Sequence, residues 1–200
     1  MIVRPVADHG IDFLASDLVR STGVHASDIY GDLFKRLEPK RYDYGDAPPN
    51  PVLLALGTAW EKHFEYLLAK SGIVVERPEE FMAPPPDNIA FSPDLIQFNG
   101  KTRLWEIKLT SMALVDKEGR EIIIAGNTLP EKFGKYLVQK KLYGYWLGIP
   151  DCVLAVCSIN QPWNPQFRLV EVTFNQRELS ETHAMCMNHL AAMRREGKVK

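Results

Sequence analysis

The feature that most constrains the fold of this chain is a pair of strand-like runs at residues 89–98 and 103–109, separated by a short turn at Asn99 and Gly100. In the second run apolar and polar side chains alternate, in the order Trp105, Glu106, Ile107, Lys108 and Leu109. Successive side chains of a β-strand point to opposite faces, so this alternation assigns each residue to one face. The two runs therefore predict a β-hairpin with an apolar face packed on a core.

In the first run Ile89, Phe91 and Leu95 also stand at odd positions, with Ser92 and Asp94 on the even set. If both odd sets face one core, cross-strand partners must have numbers of equal parity, which requires a loop with an odd number of residues. A three-residue turn with Gly100 in the left-handed conformation meets this requirement. Asp94 is then expected opposite Leu104 and diagonal to Glu106, about 7–8 Å away.

Two carboxylates and one ammonium group, those of Asp94, Glu106 and Lys108, share the polar face of this predicted hairpin. Like charges resist burial in one place, and a divalent cation removes that conflict. Magnesium prefers hard oxygen ligands, commonly one or two carboxylates with water and a substrate phosphate. We therefore expect a Mg²⁺ site, with Mn²⁺ as a substitute, in which Lys108 orients the attacking water and offsets charge at phosphorus.

Helices and strands alternate along the rest of the chain, which predicts an α/β fold. Four helices are predicted. The first spans residues 16–37, with Ser27 as N-cap, and the second spans 53–72. The third runs from the capping box of Thr128 and Glu131 to about Leu147, and the fourth from the capping box of Asn175 and Glu178 to about Arg195. Further strands are predicted at 73–76, 153–158 and 167–174. Residues 112–127 are ambiguous, with a short hairpin around Gly119 as one interpretation.

Three elements of the sequence resemble a known family. Pro93-Asp94, followed twelve residues after the aspartate by Glu106-Ile107-Lys108, is similar to the signature of the PD-(D/E)XK nuclease superfamily. The segment from Gly57 to Glu61 resembles the Gly-x-x-x-Glu of the phage lambda exonuclease-like and RecB-like branch. Gln139 and Tyr143 resemble the Gln-x-x-x-Tyr helix of the same branch.

The resemblance implies a restriction-endonuclease-like core with a central mixed sheet of four to five strands flanked by helices. It implies a single nuclease domain over 1–200, made of an N-terminal helical extension (1–50), a catalytic core (51–175) and a C-terminal helix (176–200). It also implies residue roles: metal binding by Glu61, Asp94, Glu106 and the Ile107 carbonyl, water activation by Lys108, and DNA-backbone contact or support of the site by Gln139 and Tyr143. Glu65, one turn after Glu61, is the alternative to that glutamate.

The function that the resemblance implies is a metal-dependent DNA exonuclease in phage or bacterial recombination, repair or DNA processing. A structure- or sequence-guided endonuclease, a catalytically silent DNA-binding module and a hydrolase of another phosphoester are the alternatives. Basic residues around Gln139 and Tyr143 are expected to form one helix face that contacts phosphates, namely Lys132, Lys135, Lys140 and Lys141.

Composition and the absence of certain motifs indicate the compartment and the partners of the protein. Three cysteines, an odd number, predict free buried thiols and a reducing compartment. No signal-like start and no sufficiently long apolar stretch are seen, so we expect a cytoplasmic protein, in the host cytoplasm if phage-encoded, without membrane contact. No Gly-x-x-x-x-Gly-Lys-Ser/Thr loop occurs, so a helicase or recombination partner would be a separate protein. Ring-forming relatives make a homo-oligomer worth testing.

Overall fold

The computed structural model describes residues 22–37, 51–110, 134–160 and 163–199. Four helices lie in these ranges: α1 (Ala26–Leu37), α2 (Pro51–Lys70), α3 (Gly134–Leu147) and α4 (Gln176–Arg195). The strands are β1 (Val75–Glu76), β2 (Phe81–Met82), β3 (Ala90–Phe91), β4 (Leu95–Gln97), β5 (Arg103–Thr110), β6 (Asp151–Ser158) and β7 (Gln166–Thr173). The predictions for residues 16–21, the hairpin around Gly119, the capping box of Thr128 and Glu131, and Lys132 lie outside these ranges.

Five of the strands form one mixed sheet in the order β1-β4-β5-β6-β7, and β2 pairs with β3 in a separate two-stranded sheet. Strands β5 and β6 are parallel, and the other neighbours in the large sheet are antiparallel. Helix α3 lies between the two parallel strands in the chain, as a parallel connection requires. The predicted α/β class with a mixed five-stranded sheet is confirmed.

Helices cover both faces of the sheet. On one face, Leu95, Trp105 and Ile107 pack against Phe64 and Leu68 of α2. On the other face, the even-numbered residues of β4 and β5 pack in a second apolar cluster with α1, α3 and α4; this cluster includes Ile96, Leu104, Ile29, Leu142 and Leu190. The even face of β5, where the polar residues lie, is therefore inside the molecule.

The register of β4 and β5 differs from the expected one. Leu95 pairs with Trp105 and Ile96 with Leu104, so partners do have numbers of equal parity. The connecting loop, however, is residues 98–102, two residues longer than the expected turn, although Gly100 is left-handed with φ +76°. Asp94 is consequently not opposite Leu104; in the continued register it faces Glu106.

The assignment of Ile89 and Phe91 to the same face as Leu95 is wrong. Both residues belong to the cluster formed with α1 and α3, on the opposite side of the sheet from Leu95. The cause is a break in the run, because Phe91 pairs with β2 whereas Leu95 begins the separate strand β4. Pro93 lies at the break, and a proline cannot donate to a β-ladder.

The capping predictions concern the N-termini of α1 and α4. At α4, the Glu178 N–H donates to Asn175 Oδ1 at 2.9 Å and the Asn175 N–H donates to Glu178 Oε2 at 2.9 Å, which confirms the capping box. At α1, Ser27 is not the N-cap, because the helix begins at Ala26. The Asp28 carboxylate instead accepts the His25 N–H at 3.0 Å.

Two smaller predictions concern cysteine and membrane contact. The three cysteines are free and buried, as expected. Among the helices that the structure describes, none combines the length and apolar character needed to cross a bilayer.

Candidate active site

Asp94 immediately precedes Leu95, the first residue of β4. Its Oδ2 accepts the backbone N–H of Ile107 at 2.7 Å. In the continued register Ile107 faces Pro93, and the N–H and C=O of one strand residue point to the same side, so the Ile107 carbonyl also faces this gap. Pro93 has no N–H to donate to that carbonyl. A carboxylate and a backbone oxygen therefore lie together where the ladder stops.

Glu106 projects from β5 into the interior and is 0% exposed. Its Oε1 lies 2.5 Å from Lys108 Nζ, and its Oε2 is in contact with Lys140 Nζ from α3. Lys108 Nζ also lies 3.6 Å from Asp94 Oδ2. The fold thus brings Asp94, Glu106 and Lys108 into one cluster, on the face that the alternation predicted.

The charges of this cluster stabilise one another. Burial raises the pKa of the Asp94 carboxyl, but the Lys108 ammonium and other neighbouring donors outweigh burial, so the pKa lies below its ordinary value. Burial lowers the pKa of Lys108, but the carboxylates of Asp94 and Glu106 reverse the effect and hold that pKa well above its ordinary value. Lys108 is therefore a cation in this arrangement and not a proton acceptor.

Glu61 lies on α2 beside the cluster but is turned toward a different partner. Its Oε2 lies 3.3 Å from Arg77 Nη1, and Glu65 Oε2 lies 3.2 Å from Arg77 Nε, so one guanidinium holds both glutamates. Burial raises the pKa of Glu61, and the Asp94 carboxylate raises it further. Glu61 therefore lies within electrostatic range of Asp94, which favours it over Glu65 as the third carboxylate.

The donors can be tested for their fit to a divalent cation. The described residues contain no preassembled group of three Asp, Glu, His or Cys side chains around a cation site. Both Glu106 oxygens are nevertheless buried without a donor in hydrogen-bond geometry, although lysine ammonium groups lie at ion-pair distance. Together with Asp94 and the Ile107 carbonyl, they supply the hard oxygen atoms that Mg²⁺ prefers. The chemistry of these donors fits a divalent cation, whereas Glu61 is paired with Arg77.

Gln139 and Tyr143 are buried on α3 and contact each other, with Gln139 Nε2 donating to the Tyr143 hydroxyl at 3.3 Å. They line a cavity of about 210 Å³ beside the cluster. Its other polar lining residues come from the start of α1 and from the segments around β2 and β3, namely His25, Ser27, Glu80 and Ser92. The two motif residues thus lie between the acidic cluster and a small polar cavity.

The expected basic face of α3 does not form as one surface. Lys140 is 1% exposed and contacts Glu106 in the interior. Lys141 Nζ lies 3.6 Å from Glu178 Oε1, toward α4. Burial lowers the pKa of Lys135, and the Lys108 and Lys35 ammonium groups lower it further, so Lys135 lies within electrostatic range of Lys108.

Sequence reasoning missed two charged residues of the site, Lys140 as an interior group and Arg77 as the partner of Glu61. Lys140 stands four residues after Tyr136 and three before Tyr143, which places all three on one side of α3. Position 140 is therefore on a helix side shared with a buried aromatic residue, and this spacing was the available signal. Nothing in the sequence around Arg77 marks its contact with α2.

No protein-family model matches the chain, and no curated protein matches its sequence. Solved structures do match. The alkaline exonuclease LHK-Exo from Laribacter hongkongensis superposes with a TM-score of 0.51 at 16% identity, over 93% of this chain and 87% of that one. LHK-Exo in complex with dAMP superposes with a TM-score of 0.55 at 18% identity, over 87% and 89%. At this identity the likeness establishes the fold alone, which this chain shares with an alkaline exonuclease and which agrees with the predicted restriction-endonuclease-like core.

Proposed function

We propose that the protein is a metal-dependent DNA exonuclease that hydrolyses phosphodiester bonds. The observation that carries the proposal is the docking of Asp94 on the Ile107 N–H at 2.7 Å, which sets its carboxylate beside Glu106 and Lys108. This arrangement occurs in a chain whose fold matches that of an alkaline exonuclease. The fold alone would also suit other chemistry, so the proposal depends on the side chains.

In the proposed reaction Asp94, Glu106, the Ile107 carbonyl and Glu61 would hold Mg²⁺ or Mn²⁺. A bound divalent cation supplies a lowered pKa for water and polarisation of a phosphoryl oxygen. Lys108, which is cationic here, orients the attacking water by hydrogen bonding and offsets the negative charge that develops at phosphorus. Arg77 pairs with Glu61 and offsets part of the rise in the pKa of that carboxyl which burial and Asp94 cause.

The surroundings of the cluster suit the end of a DNA strand. The cavity of about 210 Å³ beside Gln139 and Tyr143 is large enough for a terminal phosphate or sugar but not for a continuing duplex. Lys135 lies within electrostatic range of Lys108 and Lys35, since both ammonium groups lower its pKa. We propose that these lysines contact the phosphates of the strand, a sequence-independent contribution to affinity. LHK-Exo binds dAMP, which makes a deoxynucleotide a suitable test ligand.

The biological setting is proposed on the same basis. An exonuclease without an ATP-driven motor suits recombination, repair or DNA processing in a phage or bacterium, in the cytoplasm and with a separate recombination or helicase partner. A homo-oligomer that encloses DNA would suit processive digestion from an end.

The decisive experiment compares the wild type with Asp94→Ala and Lys108→Ala on three substrates in Mg²⁺, Mn²⁺ or EDTA. The substrates are end-labelled linear duplex, end-labelled single strand and covalently closed circular DNA. We expect release of nucleotides from linear DNA only, no cleavage in EDTA, and a loss of rate in each variant of at least about 10²-fold.

The control is Glu171→Gln, a carboxylate on β7 that pairs with Arg103 and is 67% exposed. It should cleave at the wild-type rate. Cleavage by Asp94→Ala at the wild-type rate would refute the site, and rapid nicking of closed circles would refute the exonuclease in favour of an endonuclease.

A second candidate is a catalytically silent DNA-binding module. The observation in its favour is that both Glu106 oxygens are in ion-pair contact with lysines, which leaves the cluster electrically balanced without a cation. This candidate predicts DNA binding with equal affinity in EDTA and Mg²⁺, and no cleavage at any pH.

A further inference from the structure

Lys140 occupies an unusual place for a lysine. It is 1% exposed on α3, and its ammonium group contacts Glu106 Oε2. The ring of Tyr143 lies 4.8 Å from the same Nζ. In the part of the chain that the structure describes, no acceptor forms a hydrogen bond of good geometry with this ammonium group.

The burial of the Lys140 ammonium group depends on a nearby negative charge. Removing an ammonium group from water is costly, and the cost is offset only by a close opposite charge. Glu106 is equally dependent, because its carboxylate is 0% exposed. Lys108 can supply part of that charge, but its side chain is 22% exposed and its stem can swing toward solvent, whereas that of Lys140 is 2% exposed and cannot.

The formal charges of the cluster sum to zero, because Asp94 and Glu106 are balanced by Lys108 and Lys140. A dication that approaches Glu106 therefore competes with an ammonium group for the same oxygen and is repelled by it. Without Lys140 the remaining three groups would carry a net charge of -1. Lys140 thus opposes the cation that the proposed function requires, while it stabilises the protein before that cation binds.

We propose that Lys140 is an internal counter-ion for Glu106, which holds the carboxylate in place in the metal-free protein and lowers the affinity of the site for a divalent cation. The inference rests on the proposed metal site. Lys140 is in this sense a positioning residue, since it acts through Glu106. The site then remains folded without metal and acquires its cation only at the concentrations where Mg²⁺ displaces the ammonium group, or when a DNA phosphate adds negative charge.

The test is Lys140→Met, which keeps the apolar stem and removes the charge. Its Mn²⁺ affinity is measured by calorimetry and by electron paramagnetic resonance, without DNA, and its Tm is measured in EDTA and in Mn²⁺. We expect Mn²⁺ to bind roughly tenfold or more tightly than to the wild type. In EDTA the Tm should fall by roughly 6–20 °C, because a buried carboxylate loses its partner. Saturating Mn²⁺ should restore most of that loss.

Two further variants keep the result interpretable. Lys101→Met removes a 53% exposed lysine from an ion pair with Asp151 Oδ1 at 2.5 Å and should leave Mn²⁺ affinity unchanged. The double variant Glu106→Gln with Lys140→Met removes both buried charges, so it should be more stable in EDTA than Lys140→Met alone. This comparison holds even if Lys140→Met folds only with metal.

Three outcomes would overturn the proposal: Mn²⁺ binding by Lys140→Met that is no tighter than the wild type, a Tm loss that is equal in EDTA and Mn²⁺, or a double variant no more stable than Lys140→Met. The proposed function is tested separately by wild-type cleavage in Mn²⁺. A wild type that cleaves, together with a Lys140→Met variant whose Mn²⁺ affinity is unchanged, would refute the counter-ion role and leave the nuclease intact.

Discussion

Two groups of charged residues in this fold differ in where they lie. The interior group joins Asp94, Glu106, Lys108 and Lys140 between the sheet and α3, with Glu106 fully buried. The peripheral group joins α1 to α4 and the segment after it: Asp32 accepts from Arg36 Nε at 2.8 Å and Lys198 Nζ at 2.7 Å, and lies 3.0 Å from His189 Nε2. Both centre on a carboxylate that contacts two or more basic groups.

The difference lies in what happens when one member is removed. In the peripheral group the side chains of Arg36 and Lys198 are 37% and 44% exposed, so water can replace a lost partner. In the interior group the side chains of Glu106 and Lys140 are 0% and 2% exposed, so loss of one leaves the other as a charge that solvent does not reach, which is the costly case. A cluster of that kind is a poor way to gain stability and a suitable way to hold groups for chemistry. We therefore expect substitutions in the interior group to lower the free energy of unfolding more than substitutions in the peripheral group.

The largest effect is expected for Glu106→Gln, which leaves Lys140 buried without a counter-charge. We expect a loss of about 3–5 kcal/mol in the free energy of unfolding in EDTA, together with loss of DNA cleavage. Urea unfolding followed by circular dichroism measures the first and the linear-duplex assay the second. Glu171→Gln is the matched control, and its stability should change by less than about 0.5 kcal/mol.

A smaller effect is expected for Asp32→Asn, which keeps the shape of the side chain but removes its charge from the α1–α4 contact. The loss in the free energy of unfolding should be about 1–2 kcal/mol, the range for hydrogen bonds to charged groups that remain partly hydrated. Cleavage should be unchanged. A loss as large as that of Glu106→Gln would show that solvent cannot replace the partners of Asp32.

The Asp32 contribution should also depend on pH. Burial raises the pKa of Asp32, but hydrogen bonds from Lys198 and Arg36 lower it more, so the folded-state pKa lies below the ordinary value. A depressed carboxyl pKa stabilises the fold above the unfolded value of about 3.9, and that stability is lost as the pH falls through the folded value. The difference between wild type and Asp32→Asn should therefore be full at neutral pH and vanish in acid. A difference that grows on acidification would contradict this assignment.

The smallest effect concerns salt. Raising NaCl from about 0.1 to 1 M shortens the screening length from about 10 to 3 Å. The cost of Asp32→Asn should fall by a few tenths of a kcal/mol, because partly exposed pairs contribute on the order of 1 kcal/mol or less. The cost of Glu106→Gln should not change, since salt ions do not reach its side chain. Equal salt dependence in both variants would remove the distinction between the two groups.

The resemblance to the nuclease family implied the mixed sheet, and the strict alternation from Trp105 to Thr110 predicted the side of β5 on which Glu106 and Lys108 lie. The sequence did not predict the break at Pro93, since Ile89 to Phe98 read as one run by hydrophobicity. Local patterns record the face of a residue but not the strand with which it pairs, so the register was displaced by two residues. The position of Lys140 was missed for a similar reason, because its burial depends on a partner 34 residues earlier in the chain.

The position of Asp94 depends on the backbone hydrogen-bond donor that Pro93 lacks. An ordinary residue at position 93 could offer its amide hydrogen to the Ile107 carbonyl, and the strand could then run on toward Phe91 as a closed ladder. Proline has no such hydrogen, and the side chain of the next residue, Asp94, accepts the Ile107 N–H instead. The place of the Asp94 carboxylate, and with it the geometry of the proposed metal site, thus follows from the pyrrolidine ring of the residue before it.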